Sequence, residues 1–248
     1  MITIFAYREG RCDQVTSLDR LWLNPAAGVV LWVDLAAPSI PESLILSDTF
    51  AFHPLAVEDA MSPGQPTKVE AYDGYLFAVL RAPEGEIDFF VGPTFLVTVH
   101  HRDAKAVAEF IDNAKHSPRP IAEGPVALFH RIADALVDAY RPAVERIGDR
   151  ASDLEKQTFD KPSPSVVRDV LALRRELFDL GLHASAQRAV VERLSRREFV
   201  DISTDMSFRF RDVHDHLVRV TDDVDALRDR LDGLLTASVG LAGARRWI

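Results

Sequence analysis

The sequence predicts an α/β layer sandwich over residues 1–120, followed by long α-helices over 121–248. Three observations point there. Short β-rich runs bounded by turn residues alternate with helical stretches, but only up to about residue 120. Strand signals then vanish. Near the C-terminus an apolar seam recurs at alternating spacings of four and three residues over four heptads.

In chain order, strands are expected at Ile2–Tyr7, Val29–Asp34, Tyr75–Arg81, Ile87–Val91 and Thr94–His100. Pro83-Glu84-Gly85 and Gly92-Pro93 separate the last three, whose spacing suggests an antiparallel meander. Helices fit between, at Pro41–Phe50, Pro54–Met61 and Asp103–Lys115. Pro54 suits a first helical position, where the N–H it lacks has no partner anyway. Alternating strands and helices give layers packed face to face.

Three long helical segments follow. The first, about Gly124 to Phe159, carries Val126, Phe129, Ala133, Leu136, Tyr140, Ile147, Ala151 and Leu154. Pro142 interrupts it, and its ring would meet the Asp138 carbonyl, so a kink is expected there. The second starts with Ser163 as N-cap and Pro164 at the first helical position. Its seam is Val166, Val170, Leu173, Leu177, Leu180, Ala184, Gln187, Val191 and Leu194. The third is Met206, Phe210, Val213, Leu217, Val220, Val224, Leu227, Leu231 and Leu234. Such a seam argues for knobs-into-holes packing on a partner, and hence for a stalk and oligomerisation.

Composition narrows the function. With 29 basic against 38 acidic residues the net charge is −9, and no basic tract exists for phosphate neutralisation, so no nucleic acid is expected. The single cysteine, Cys12, excludes an internal disulfide and a cysteine zinc cluster. The N-terminus does not read as a signal peptide. The most apolar stretch, Ala26–Ala37, is short and contains Asp34, so no transmembrane helix is expected. No nucleophile elbow, P-loop, dinucleotide fingerprint or CxxC pair occurs, so no enzyme is expected.

Three groups of residues remain as candidates for chemistry. The last helix holds Asp212, Asp215, Asp222, Asp223, Asp225, Asp229 and Asp232, interleaved with arginines. These are either a solvated flank with i,i+4 ion pairs or an oxygen-rich surface for hard divalent cations. Glu58 and Asp59 adjoin in the short helix after Pro54. They either complement a helix N-terminus or ligate a metal. Among eight histidines, His216 shares a face with Asp212 at i,i+4, as a surface ion pair or as a softer metal site.

The segment HPLAVEDAMSPGQPTKVEAYDGYLFAVLRA (His53–Ala82) resembles the CorA family of divalent metal-ion transporters, with its HPL-x-x-ED and PKVE-like motifs. EIDFFVGPTFLVTVH (Glu86–His100) is similar to the family's next strand pair, and ALVDAYRPAVERIGDRASDLE (Ala135–Glu155) to its acidic helix. FRDVHDHLVRVTDDVDALRDRLDGLL (Phe210–Leu235) is similar to its stalk helix. The likeness runs in order from about residue 2 to 236.

The resemblance implies an α/β/α sandwich with a mixed sheet (1–120), two long acidic helices of the willow type (121–200) and a coiled-coil-like stalk helix (201–248). It implies a homopentamer on the cytoplasmic side of the inner membrane. It also implies sensing of Mg2+, or of Co2+ or Zn2+, at sites between subunits. By motif position Asp59 matches a ligand from one subunit and Asp212 one from its neighbour. Glu58 and Asp134 match acids of an adjacent second site. The family's GMN signature and membrane helices have no counterpart, so this polypeptide is expected to be soluble as written, to stop before the bilayer and not to conduct ions. The tail Gly240–Ile248 departs from the family pattern. Three readings stand: the metal-sensing domain of a magnesium (cobalt) transporter, its zinc-handling ZntB-like counterpart, or a soluble adaptor or α/β enzyme using its heptad helices to bind a partner.

Overall fold

The computed structural model describes residues 1–161 and 163–244. The strands are β1 (Ile2–Arg8), β2 (Arg11–Val15), β3 (Val30–Ala36), β4 (Lys68–Tyr72), β5 (Tyr75–Ala82), β6 (Gly85–Val91) and β7 (Phe95–His100). They form one sheet in the order β2-β1-β3-β7-β6-β5-β4. The pair β3–β7 is parallel and every other pair antiparallel, so the sheet is mixed and β4 to β7 form the expected meander. Two strands were not anticipated, β2 and β4, and these are the two edges. Edge strands are short and polar because a bare apolar edge invites pairing with other chains; RCDQV and KVEAY fit that role.

The central strands are apolar at nearly every position because both sheet faces are covered. One face buries Leu31, Val33, Phe77, Val79, Phe90 and Val97. It is capped by α1 (Ile40–Leu44), a π-helical turn (Ile45–Thr49) and α2 (Pro54–Met61). The other face buries Trp32, Leu76, Leu80, Phe89 and Leu96. Against it lie α3 (Lys105–His116), α4 (Arg119–Ala122), α5 (Pro125–Asp138), the end of α7 (Pro164–Ser195) and the start of α8 (Thr204–Ala244). This is the α/β/α sandwich.

The kink expected at Pro142 is found as a break three residues earlier, at Ala139, with Pro142 in the first turn of the next helix. α5 ends at Asp138 and α6 (Tyr140–Asp160) begins two residues later, with Tyr140 buried and its hydroxyl donating to the Arg81 carbonyl at 3.1 Å. Beyond the sandwich α6, α7 and α8 share a second apolar cluster. α8 has 41 residues and is therefore about 60 Å long.

The heptad seam of α8, expected to face a partner, is closed within the chain. All nine of its residues, from Met206 to Leu234, are buried. The first four join the sandwich core and the rest meet Leu173, Leu177 and Leu180 of α7 and Ile147, Ala151 and Leu154 of α6. The reason is that α6 and α7 fold back along α8 and supply the holes for its knobs. The seam therefore gives no argument for oligomerisation. Gly181 permits a close approach of α7 to α8, since a Cβ there would stand 2.8 Å from Val224 Cγ1.

Candidate metal centre

α5 carries His130, Asp134 and Asp138 at successive i,i+4 positions, hence on one face. That face is turned to α8, where Asp212 and His216 form a second i,i+4 pair. Phe129, buried between the sheet and Phe210 of α8, sets the spacing of the two helices. The His130 ring packs edge-on to Phe210 at 5.1 Å.

The result is an imidazole among three acids. His216 Nδ1 lies 3.6 Å from Asp138 Oδ1 and 3.9 Å from Asp134 Oδ1, and His216 Nε2 lies 3.9 Å from Asp212 Oδ2. One ligand atom each from Asp134, Asp138 and His216 falls within 4.8 Å of the others. Ligands about 2.1 Å from a shared ion stand roughly 3–4 Å apart, so these spacings suit one small divalent cation. A groove of about 600 Å³, lined by Asp138, His216, Arg219 and Asp223 among others, opens the cluster to solvent.

Asp134 shows why a cation would fit. Its Oδ1 is buried and has no hydrogen-bond partner. Burial, and then the Asp138 charge, hold its carboxyl above the ordinary carboxylate value, although His130 and His216 pull the other way. Burial likewise pushes the His130 imidazole down, towards the neutral form that ligates metals. A divalent ion would satisfy the orphaned oxygen and offset the repulsion together.

Glu58 and Asp59 lie on the opposite face of the sheet, on α2. The helix is capped by His53, whose Nδ1 accepts from the Leu55 N–H at 3.2 Å, and Pro54 takes the first position as expected. No acid lies in its first turn, so the two carboxylates do not complement a helix N-terminus. Glu58 is exposed. Asp59 is half-buried and paired with the Lys68 ammonium at 2.6 Å. The Lys68 ammonium also reaches Glu70 at 3.1 Å, and the Tyr72 hydroxyl donates to the same Glu70 oxygen at 3.2 Å. Beneath this group Asp88 of β6 is buried with Oδ1 unpartnered, and burial, then Glu86 and Asp59, drive its carboxyl well above the ordinary value.

Of the four residues singled out by motif position, the structure brings Asp134 and Asp212 together around His216. Glu58 and Asp59 stand apart from them within one chain. Asp138 was missed. Its signal was the four-residue interval from Asp134, which repeats the Asp212–His216 interval on the facing helix.

Residues 27–241 match the model of the family described as CorA-like Mg2+ transporter protein. The chain is 32% identical over 220 residues to a Bacillus subtilis protein named "Putative metal ion transporter YfjQ", covering 86% of this chain and 69% of that one. It is 28% identical over 201 residues to the cobalt/magnesium transport protein CorA of Thermotoga maritima, covering 77% of this chain and 57% of that one. The soluble domain of CorA from Methanocaldococcus jannaschii superposes with a TM-score of 0.83 at 17% identity, over 97% of each chain, which shows the shared fold. Among the described residues no helix is long and apolar enough to cross a membrane. With the family model matched over most of its length, this chain belongs to the CorA-like Mg2+ transporter family.

Proposed function

We propose that this chain is the cytoplasmic, divalent-cation-sensing domain of a CorA-like magnesium or cobalt transporter. The carrying observation is the buried, unpartnered Asp134 oxygen within the Asp134–Asp138–His216 cluster, with Asp212 on the other side of the imidazole. The reading extends across copies of the chain. Asp59 and Glu58 of one copy meet Asp212 and Asp134 of its neighbour in a homopentamer, and Mg2+ bridges them. Without the ion the facing carboxylates repel, and with it the copies are held together. The Asp212 carboxylate is exposed, and the half-buried Asp59 carboxylate is held by Lys68, which such a bridge would displace.

The test is a magnesium titration of the unfolding temperature. The wild-type chain rises, because an ion that binds only the folded state stabilises it. The double variant Asp59→Ala, Asp212→Ala loses the rise, and an undiminished rise there would sink this ligand assignment.

One observation favours a second, zinc-handling reading. His216 adds a nitrogen donor to the cluster, and an imidazole with carboxylates suits Zn2+ or Co2+ better than Mg2+. A zinc titration beside the magnesium one separates them: His216→Ala weakens the zinc response selectively if zinc is the ion.

A further inference from the structure

We infer that the Lys68 ammonium is a tethered competitor for the cation at Asp59, and that Glu70 is the seat to which it withdraws when the cation arrives. This rests on Asp59 being a cation ligand, as proposed above.

The Lys68 Nζ lies 2.6 Å from Asp59 Oδ2, close to where an ion on that oxygen would sit. An ammonium and a divalent ion a few ångströms apart repel, so the two cannot both hold that oxygen well. The pair is no loose surface contact. Each side chain is only 24% exposed. Lys68 stands on β4, and its ammonium lies 5.4 Å from the centre of the Phe77 ring. A tethered charge of this kind cannot diffuse away and acts at a fixed, high local concentration.

The alternative seat is already built. Glu70 is two residues along the same strand, hence on the same side, and its Oε2 is 3.1 Å from the same ammonium. The Tyr72 hydroxyl donates to that oxygen at 3.2 Å and fixes it. Handing Lys68 from Asp59 to Glu70 therefore needs rotation of its terminal bonds and no backbone movement.

The surroundings favour the exchange at high cation concentration. Lys68, Val79 and Asp88 lie in one cross-strand row, which places a third carboxyl beneath the pair. Replacing one positive charge by two beside these carboxyls leaves none of them worse compensated. When cation is scarce, Lys68 keeps Asp59 neutralised. It thus sets the concentration at which the site fills, and does so for any divalent ion alike.

The experiment is a divalent-cation titration of the unfolding temperature at constant ionic strength, with MgCl2 and then ZnCl2, on the whole chain and four variants. Lys68→Met should lower the half-effective concentration of both ions by about two- to fivefold, the size of a single ion pair that water still reaches. Lys68→Arg should stay near wild type. Glu70→Gln should raise it, because Lys68 then has Asp59 as its main partner. That opposite shift stands even if Lys68→Met folds poorly. Asp59→Asn should abolish the response of this site. If Asp59→Asn abolishes it but Lys68→Met or Glu70→Gln shifts nothing, the competitor role is wrong and the ligand role survives. If Asp59→Asn leaves the response intact, the ligand role falls and the competitor role with it.

Discussion

Asp134 Oδ1 of α5 lies 3.9 Å from His216 Nδ1 of α8. The same nitrogen is 3.6 Å from Asp138 Oδ1. Two carboxylates thus face one ring nitrogen across a helix pair whose neighbouring contacts are apolar. The arrangement is electrostatically expensive when no ion is present, because one of the carboxylate oxygens is buried without a partner.

Asp134→Asn should therefore have opposite effects with and without cation. In chelator it keeps the shape and removes a charge that burial and Asp138 disfavour, so the unfolding temperature should rise by up to about 3 °C at neutral pH. In zinc or magnesium the proposed ligand is lost, and the added stabilisation should shrink. Calorimetry in chelator and in each ion checks both signs. A fall in chelator would mean that Asp134 is held by contacts its geometry does not show.

Asp88→Asn tests the second buried carboxyl. Burial, then the neighbouring Glu86 and Asp59, raise the Asp88 value in the folded chain well above the 3.8 of a free carboxyl. An acid raised on folding costs nothing while both states are protonated. Its penalty grows as pH climbs above about 4 and levels off above the folded value. The variant should therefore match wild type in acid and exceed it by several degrees near neutrality. Unfolding temperatures across pH 4–8 check this, and parallel curves would refute it.

These two acids show where sequence reading succeeds and where it stops. The central strands were legible because burial on both faces writes long apolar runs, as in Tyr75–Ala82 and Phe95–His100. The edge strand β4 was not, because it is short and mixes charged Lys68 and Glu70 among its apolar residues, most of them only partly buried. Its one plain signal was Asp73-Gly74, the two-residue turn to β5 where Gly74 takes φ +80°. The seam of α8 was legible as a seam, but periodicity does not say which helix fills it, and α6 and α7 do so from the same chain. Asp134 and Asp212 came from motif position. The imidazole–carboxylate spacing and Asp138's share in it depend on the packing of α5 against α8, which no local pattern encodes.

His100 gives a pH-linked prediction away from the proposed metal ligands. Its Nδ1 is 2.6 Å from the Arg102 carbonyl and its Nε2 is 3.5 Å from Asp34 Oδ2, so both ring nitrogens face acceptors. Asp34 is fixed in turn by the Thr98 hydroxyl at 2.6 Å, which accepts from Trp32 Nε1 at 3.2 Å. Burial works against the charged ring, but Asp34, then the Arg102 carbonyl and Asp103, outweigh it and the value rises above 6.5. A histidine raised on folding stabilises fully below about 6.5, and the contribution is lost as pH rises through the folded value. The stability gap between wild type and His100→Gln should therefore narrow from pH 6 to pH 9. A gap that stays constant would show that the ring is neutral throughout.

Gly181→Ala probes the close approach of α7 and α8. Alanine is the better helix residue, by about 1 kcal/mol, so on an exposed face the change would stabilise. Here the new methyl would lie 2.8 Å from Val224 Cγ1. Val224 is buried, β-branched and stiff, and it packs in the cluster with Leu177, Leu180 and Leu231. Overpacking of this kind costs about 1–3 kcal/mol, so the net effect should be a loss of up to about 2 kcal/mol. Val224→Ala alone should also destabilise, by leaving a cavity. In the double variant the methyl added on α7 fills part of the space vacated on α8, so the two losses should not add. Denaturant melts of the four chains decide it. Simple additivity, or a stabilised Gly181→Ala, would place the two helices farther apart than the structure has them.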